Sequence, residues 1–186
     1  MTRFDDIKVT LFSAEHSDLA QSALTDEVVQ EAEGILGVRL PAALVEILRW
    51  QNGGPVSSHW DAFPTAAPNS WSESHVPFEE VMGIGHRTDR LSLFDTPYLI
   101  GEWGLPSPIV LLCGDGHCWI ALDYRDCGWD GEPTVTWFDT ESNSELIVAT
   151  DLRAFVEGLA PASRFDSESR PPTEDAHPPH ASQDLS

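Results

Sequence analysis

Three cysteines and a histidine lie close together in the sequence and could in principle hold a metal ion: Cys113, His117, Cys118 and Cys127. Thiolates and imidazoles are the usual ligands of structural zinc. The gaps of four and eight residues between these cysteines lack the paired two-residue spacing by which zinc sites are recognised. Buried free thiols instead pack as small hydrophobic side chains. We therefore expect no metal and no cofactor.

Side chains suited to general acid–base catalysis are scattered through the middle of the chain: His59, Asp61, His75, Glu79, Glu80, His86, Asp115 and His117. No pair among them has a spacing typical of a hydrolase, and the sequence contains no H-E-x-x-H, no G-x-S-x-G and no phosphate-binding glycine loop. A solvated surface explains these groups more simply, so we expect that the protein is not an enzyme.

The seven tryptophans divide into two groups. Trp50, Trp119 and Trp137 fall inside predicted helices or strands, which indicates core positions. The others fall in predicted loops beside carboxylates, and a rigid aromatic anchor next to steering charges is typical of interface hot spots. The alternative is that these tryptophans cap the edge of the core. The candidate partner-binding residues are Trp60, Asp61, Trp71, Glu73, Glu102, Trp103, Asp126, Trp129, Asp130 and Glu132.

The net charge is the strongest compositional signal. Ten Lys and Arg oppose 31 Asp and Glu, for a formal charge of -21. This balance argues against non-specific nucleic-acid binding, which needs cations to displace counterions, and against docking on anionic lipid. A field of this sign attracts basic proteins and speeds their encounter. Solubility alone is the alternative explanation.

Helical periodicity predicts a pair of helices near the N-terminus. Residues 25–36 place apolar residues on one face and acidic residues on the other, with Thr25 as the N-cap and Gly37 as the stop. A second helix should begin at Pro41, end at residues 52–54 and bury Leu44, Ile47 and Leu48. Residues 151–159 repeat the pattern and predict a closing helix.

Strand signals dominate the second half. Apolar runs at 109–113 and 118–124 are joined by Asp115–Gly116, a turn that predicts a β-hairpin with Cys113 opposite Cys118. Residues 134–138 and 145–149 predict two more strands. The order of elements indicates an α+β domain with an N-terminal helix pair, an antiparallel sheet of about four to six strands and a closing C-terminal helix.

The remaining segments lack clear periodicity. We predict a long loop over 55–76, one helical turn over 77–82, and irregular chain over 83–108 with a short strand at 98–100. The Pro-rich, acidic stretch 161–186 is predicted to be a disordered tail. The sequence has no apolar run of membrane-spanning length and no secretory pattern at its start, so the expected compartment is the cytoplasm.

Several of these motifs, in this order, resemble the SUKH superfamily of Smi/Knr-type cell-wall regulators and bacterial toxin-immunity proteins. The resemblance covers roughly residues 22–160, leaving 1–21 as an N-terminal extension. It rests first on an acidic helix, an L-P step, a second helix and an N-G-G stop, and then on a central hairpin. The motif residues are Leu40, Pro41, Asn52, Gly53, Gly54, Gly114, Asp115 and Gly116.

The resemblance implies a protein-binding function rather than catalysis. One expectation is an immunity protein that neutralises a cognate toxin domain, a basic one of the nuclease type, with no nucleic-acid or membrane partner. A scaffold or regulatory adaptor of the Smi/Knr type is the alternative, and a metal-dependent hydrolase is a weaker third. The expectation of a toxin partner comes from the resemblance alone, whereas the residues indicate only an acidic surface for a basic partner.

Overall fold

The computed structural model describes residues 3–166, which form six α-helices, two 3₁₀ segments and eight strands. The helical segments are α1 (Arg3–Lys8), a 3₁₀ segment (Ala14–Leu19), α2 (Asp26–Leu36), α3 (Ala42–Trp50), a 3₁₀ turn (Leu93–Asp95), α4 (Thr96–Trp103), α5 (Leu152–Gly158) and α6 (Ser163–Asp166). The strands are β1 (Gly54–Pro55), β2 (Ala62–Pro64), β3 (His75–Pro77), β4 (Glu80–Val81), β5 (Ile109–Gly114), β6 (Cys118–Asp123), β7 (Thr134–Asp139) and β8 (Ser144–Ala149). This is the predicted α+β class.

Helix α2 forms as its sequence predicts. The Thr25 hydroxyl accepts a hydrogen bond from the Val28 N–H, and Gly37 ends the helix at φ +68°, a left-handed conformation that glycine adopts without strain. Helix α3 follows after Pro41 and buries Leu44, Ile47 and Leu48. The side chains of Asp26 and Arg49 then link the two helices by an ion pair.

The prediction of a core position for Trp50 is wrong, because its side chain is 61 % exposed. It is the last residue of α3 and lies two positions beyond Leu48, about 200° around the helix from that buried residue. Trp119 and Trp137 are buried as predicted.

The main sheet is a four-stranded antiparallel meander in the order β5-β6-β7-β8. Strands β6 and β7 are buried along nearly their whole length, so both of their faces are covered. Strand β8 is the outer edge and is largely exposed. At the opposite edge, the Met82 N–H donates to the Leu112 carbonyl at 2.7 Å, and the Leu111 N–H donates to the Thr96 hydroxyl.

The β5–β6 hairpin forms, but its predicted register is wrong. Cys113 pairs with Ile120 and Gly114 pairs with Trp119, and an irregularity between Leu111 and Cys113 shifts the register. The turn therefore has Gly116 and His117 at its tip rather than Asp115–Gly116, because the Asp115 N–H donates back to the Cys118 carbonyl. Cys113 and Cys118 are consequently not opposite each other.

Two predictions for the middle of the chain are also wrong. Residues 75–82 contain two short strands and no helical turn: β3 pairs with β2, and β4 pairs with β1. The expected strand at 98–100 is part of helix α4. A capping box formed by Ser92 and Asp95 begins this helical segment, and Gly104 ends it at φ +64°.

Both ends of the described chain pack onto the body. Helix α1 buries Phe4 and Ile7 and contacts α3 and α5, so the segment before the family-like region contributes to the same core. Helix α5 buries Leu152, Phe155 and Val156 as predicted. Within the stretch assigned to the tail, Phe165 is buried and stacks on a histidine. The rest of that stretch, 167–186, lies outside the described residues.

We predict that Phe4→Ala lowers the free energy of unfolding by about 3 kcal/mol or more, because a fully buried aromatic side chain leaves a cavity when it is truncated. Urea denaturation of the full chain measures the change. Val9→Ala, at an exposed position just after α1, should cost far less. Equal stability of the Phe4 variant and the parent would contradict the docking of α1 described above.

Candidate functional site

The ten candidate partner-binding residues lie in three separate places. Trp60 and Asp61 are engaged in holding chain segments together: the Trp60 Nε1–H donates to the Thr10 hydroxyl at 3.1 Å, and Asp61 accepts from the Ala162 N–H at 2.6 Å. Both side chains are half-buried. Their evident role is to attach the two ends of the described chain to the body.

A second group lies in the loop between β6 and β7 and contains Asp126, Trp129, Asp130 and Glu132. Trp129 is 62 % exposed, and its carbonyl accepts from the Arg39 N–H at 2.7 Å. The Tyr124 hydroxyl donates to the Arg39 carbonyl at the same distance. This loop is therefore fixed against the connection between α2 and α3, with a cation in its immediate surroundings.

The remaining four residues belong to two segments that reach the β5–β6 turn, at the other end of β6, through Trp71 and Trp103. Trp71 and Glu73 are on the loop between β2 and β3, and Glu102 and Trp103 are at the end of α4. Strand β6 has six residues and separates this end from the β6–β7 loop by about 17 Å. The ten residues therefore do not form one continuous surface.

The hairpin turn is rigid because its own side chains satisfy its backbone. One carboxylate oxygen of Asp115 accepts from the N–H groups of His117 and Cys118, both at 2.9 Å. Gly116 has a φ of +100°, and a Cβ at this position would meet the Trp103 ring at 2.5 Å. Glycine is thus required both for the backbone conformation and for the packing of the indole.

Two polar side chains hold the loop that carries Trp71, one within the loop and one against the sheet. The side-chain oxygen Oδ1 of Asn69 accepts from the N–H groups of Trp71 and Ser72. The Ser70 hydroxyl hydrogen-bonds to Asp139, and this contact, with the Ser142 N–H, lowers the pKa of Asp139 to about 2. The position of Trp71 therefore depends in part on an ionised carboxylate of β7.

Between this loop and the hairpin lies a groove of about 300 Å³, which we call the Trp71 groove. Three carboxylates, two prolines, two thiols and two indoles contribute to its lining. The residues are Pro55, Trp71, Pro77, Glu79, Glu80, Cys113, Gly114, Asp115, Cys118 and Trp137.

Negative charge dominates the Trp71 groove. No Lys, Arg or His lines it, and within residues 3–166 none forms an ion pair with Glu79, Glu80 or Asp115. This negative charge also affects the pKa of a thiol in the groove. Burial raises the pKa of Cys113 to about 12, and the carboxylates of Glu80, Glu79 and Asp115 act in the same direction.

The sequence model of the SMI1 / KNR4 family (SUKH-1) matches residues 23–158, which is more than half of the chain. This chain belongs to the SMI1 / KNR4 family. No match was found among curated proteins. Among residues 3–166, no helix is long and apolar enough to cross a membrane.

The SMI1 / KNR4 motif residues serve the fold. Leu40 is buried and its N–H donates to Glu33 at 2.9 Å, while Pro41 precedes the first turn of α3. The side-chain amide of Asn52 donates to the carbonyls of Ser22 and Ile84 and accepts from the Ile84 N–H. Gly53, at φ +84°, lies so close to Gly83 that a Cβ would collide with its backbone.

The thiols and histidines do not converge. Cys127 lies in the β6–β7 loop, at the opposite end of β6 from Cys118, and residues 3–166 contain no group of three potential ligands placed to hold a metal. Each histidine within residues 3–166 has its own separate partner: His16 with Ser13, His59 with Ser57, His75 with Ser72, His86 with Glu31, and His117 with Glu141.

Sequence reasoning missed the contribution of Glu79 and Glu80 to the Trp71 groove. It treated them as scattered acids in a helical turn, whereas β4 pairs Glu80 with Pro55 and places both carboxylates beside the hairpin. Two adjacent carboxylates after Pro77 are a weak local signal. The pairing of Glu80 with Pro55, which places these carboxylates in the groove, joins residues 25 positions apart and leaves no pattern in the sequence.

We predict that Asn52→Asp is strongly destabilising, by about 3 kcal/mol or more, although it changes only the amide nitrogen. The new carboxylate would face two carbonyl oxygens in a buried position and would lose both donated hydrogen bonds. Thermal or urea denaturation measures the loss. Asn143→Asp, at an exposed position, is the matched control. A small effect at Asn52 would mean that this motif residue does not anchor the fold.

A second prediction concerns pH. Because the folded-state pKa of Asp139 is depressed from 3.8 to about 2, its contribution to stability is complete above about pH 4 and is lost as the pH falls toward 2. The stability difference between pH 5 and pH 2.5 should therefore be smaller in Asp139→Asn than in the parent chain, as measured by urea denaturation at both values. An unchanged difference would show that Asp139 carries none of the acid sensitivity.

Proposed function

We propose that this chain is a non-enzymatic immunity protein that binds and neutralises a cognate toxin domain, a basic one of the nuclease type. Membership of the SMI1 / KNR4 family fits an immunity protein or a Smi/Knr-type regulator, and both act by contacting other proteins. The formal charge of -21 favours a cationic partner. Family and charge thus support the same class of interaction.

The observation that carries the proposal is the surface around the β5–β6 hairpin. We define the hairpin-end surface by residues that flank the turn from the two faces of the sheet. Trp71, Glu73, Glu79, Glu80 and Asp115 are on the side of the groove and Trp137, and Glu102 and Trp103 are on the side of Trp119. Trp71 is 54 % exposed, and all five acids are exposed. A large rigid ring surrounded by unneutralised carboxylates is the composition of a hot spot for a basic protein.

The mechanism of neutralisation is occlusion. A nuclease must carry positive charge to hold the phosphates of its substrate. An acidic protein complementary to that charge associates quickly because of electrostatic steering and then covers the phosphate-binding surface. No chemical step by this chain is needed.

Two acidic surfaces could carry this function, and they differ in the cations beside them. The β6–β7 loop has an exposed Trp129, but the pocket beside it includes Arg39, which forms no ion pair within residues 3–166 and offsets part of the negative charge. The Trp71 groove has no cation in its own lining, and Arg90, which lines an adjoining pocket with Glu80, is paired with Asp89. We therefore assign the docking function to the hairpin-end surface.

A pair of charge reversals tests this assignment. Glu73→Lys with Glu102→Lys should weaken the complex at least tenfold and flatten its salt dependence, because both changes place like charges against a cationic partner. Asp126→Lys with Asp130→Lys changes the net charge by the same amount at the opposite end of β6 and should have a smaller effect. The reverse ranking would move the docking face to the β6–β7 loop.

The experiment begins with capture of proteins at low salt on the immobilised full chain, followed by expression of each captured protein in cells with and without this chain. The expected partner is basic, stops growth alone and is tolerated when this chain is present. Its affinity should fall between about 0.1 M and 1 M salt, where the screening length shortens from about 10 Å to about 3 Å. A partner that is not toxic, or a complex insensitive to salt, would sink the proposal.

A further inference from the structure

The chemical character of the Trp71 groove limits the kind of group that can occupy it more strictly than its negative charge alone would. Its volume of about 300 Å³ is at the lower limit of small-molecule sites, so it suits one side chain rather than a helix or a strand. Its open side carries the Trp71 indole and the exposed carboxylates of Glu79 and Glu80. A complementary group must be cationic, with a flat or apolar part that can contact an indole.

Of the two basic side chains, arginine fits this combination better. The guanidinium is planar, stacks on aromatic rings and donates two parallel hydrogen bonds to carboxylates, whereas the lysine ammonium is a compact and strongly hydrated charge. Cation–π attraction is strongest over tryptophan. The groove offers both the ring and more than one carboxylate, so it can use both properties of a guanidinium at once.

Trp137 forms a buried wall of the groove. It lines the groove but is only 3 % exposed, so it is not a second stacking surface for a charged group. The aliphatic stem of an arginine side chain can pack against such an apolar wall while its guanidinium stays at the exposed ring and carboxylates.

We propose that the Trp71 groove is an anchor site for an arginine residue of the protein partner, a site that rests on the docking function assigned above. The guanidinium stacks on Trp71 and pairs with Glu79 and Glu80. The remaining acids of the hairpin-end surface then act as a rim that steers the partner and sets its orientation.

The test is a titration of the ¹⁵N-labelled full chain with acetyl-Gly-Arg-Gly-amide, followed through the indole N–H signals in NMR spectra. The signals of Trp71 and Trp137 should shift and saturate. The citrulline peptide, which has the same shape without the charge, should leave them unchanged, and the lysine peptide should bind more weakly. Equal shifts with the citrulline or lysine peptide, or equal shifts at Trp129, would overturn the proposal.

Variants make the test specific to the groove. Trp71→Ala should abolish the saturable shift at Trp137, while Trp129→Ala, an equally exposed tryptophan at the other end of β6, should leave it intact. Glu79→Gln and Glu80→Gln should each weaken binding by roughly fivefold, the effect of losing one exposed ion pair. Glu157→Gln, on α5 and away from the groove, should have no effect. Circular dichroism of each variant checks that it is folded.

The outcomes separate this inference from the proposed function. Peptide binding needs no toxin, so a saturable arginine response with no basic toxic partner would keep the anchor site and remove the immunity function. Salt-sensitive binding of a basic toxin that is unaffected by Trp71→Ala and Glu80→Gln would keep the function and remove the anchor site.

Discussion

The amide side chain of Asn52 is the constraint on which much of this architecture depends. It joins the end of α3 to two distant segments, through the carbonyl of Ser22 and both backbone groups of Ile84. The neighbouring close approach of Gly53 to Gly83 is possible only because neither residue has a Cβ. These contacts bring β4 alongside β1 and so place Glu80 beside Pro55, on one wall of the Trp71 groove. The N-G-G stop at residues 52–54 thus positions a groove from which its own residues are absent.

The carboxylates of this chain differ in whether a cation neutralises them. Lys8 contacts Asp5 and Glu46 on the helical side, and Arg125 contacts Asp123 at the end of β6 and Glu145 on the edge strand β8. Burial acts against the charged form of Asp123, but its hydrogen bonds with Arg125 give a net lowering of its pKa. These cations pair with carboxylates outside the Trp71 groove, whereas the groove acids form no ion pair within residues 3–166. Repulsion among the groove acids therefore remains available to be relieved by a partner.

How much of the fold the sequence predicts depends on how local the signals are. Helix α2 is readable from Thr25, Gly37 and one apolar face, and the meander is readable from its apolar runs. Helix α4 had local signals that went unused, because Ser92, Asp95 and Gly104 are typical of a helix start and stop. The pairing of β1 with β4 could not be predicted, since strands of two residues carry no periodicity. The pairing also depends on the long-range hydrogen bonds between Asn52 and Ile84.

The candidate site shows the same difference between local signals, which the sequence contains, and long-range contacts, which it does not. The combination of loop tryptophans with carboxylates predicted candidate binding residues, but sequence proximity grouped residues that the fold separates. Asp61 was paired with Trp60 as a docking group, whereas its carboxylate holds the Ala162 N–H. Asp126 and Glu102 are both carboxylates close to a tryptophan in the sequence, but their segments lie at opposite ends of β6. Which acids share a surface depends on strand order and register, and a register error of two residues in one hairpin was enough to misplace Cys113. A surface built from tertiary contacts has no signature in the spacing of its residues.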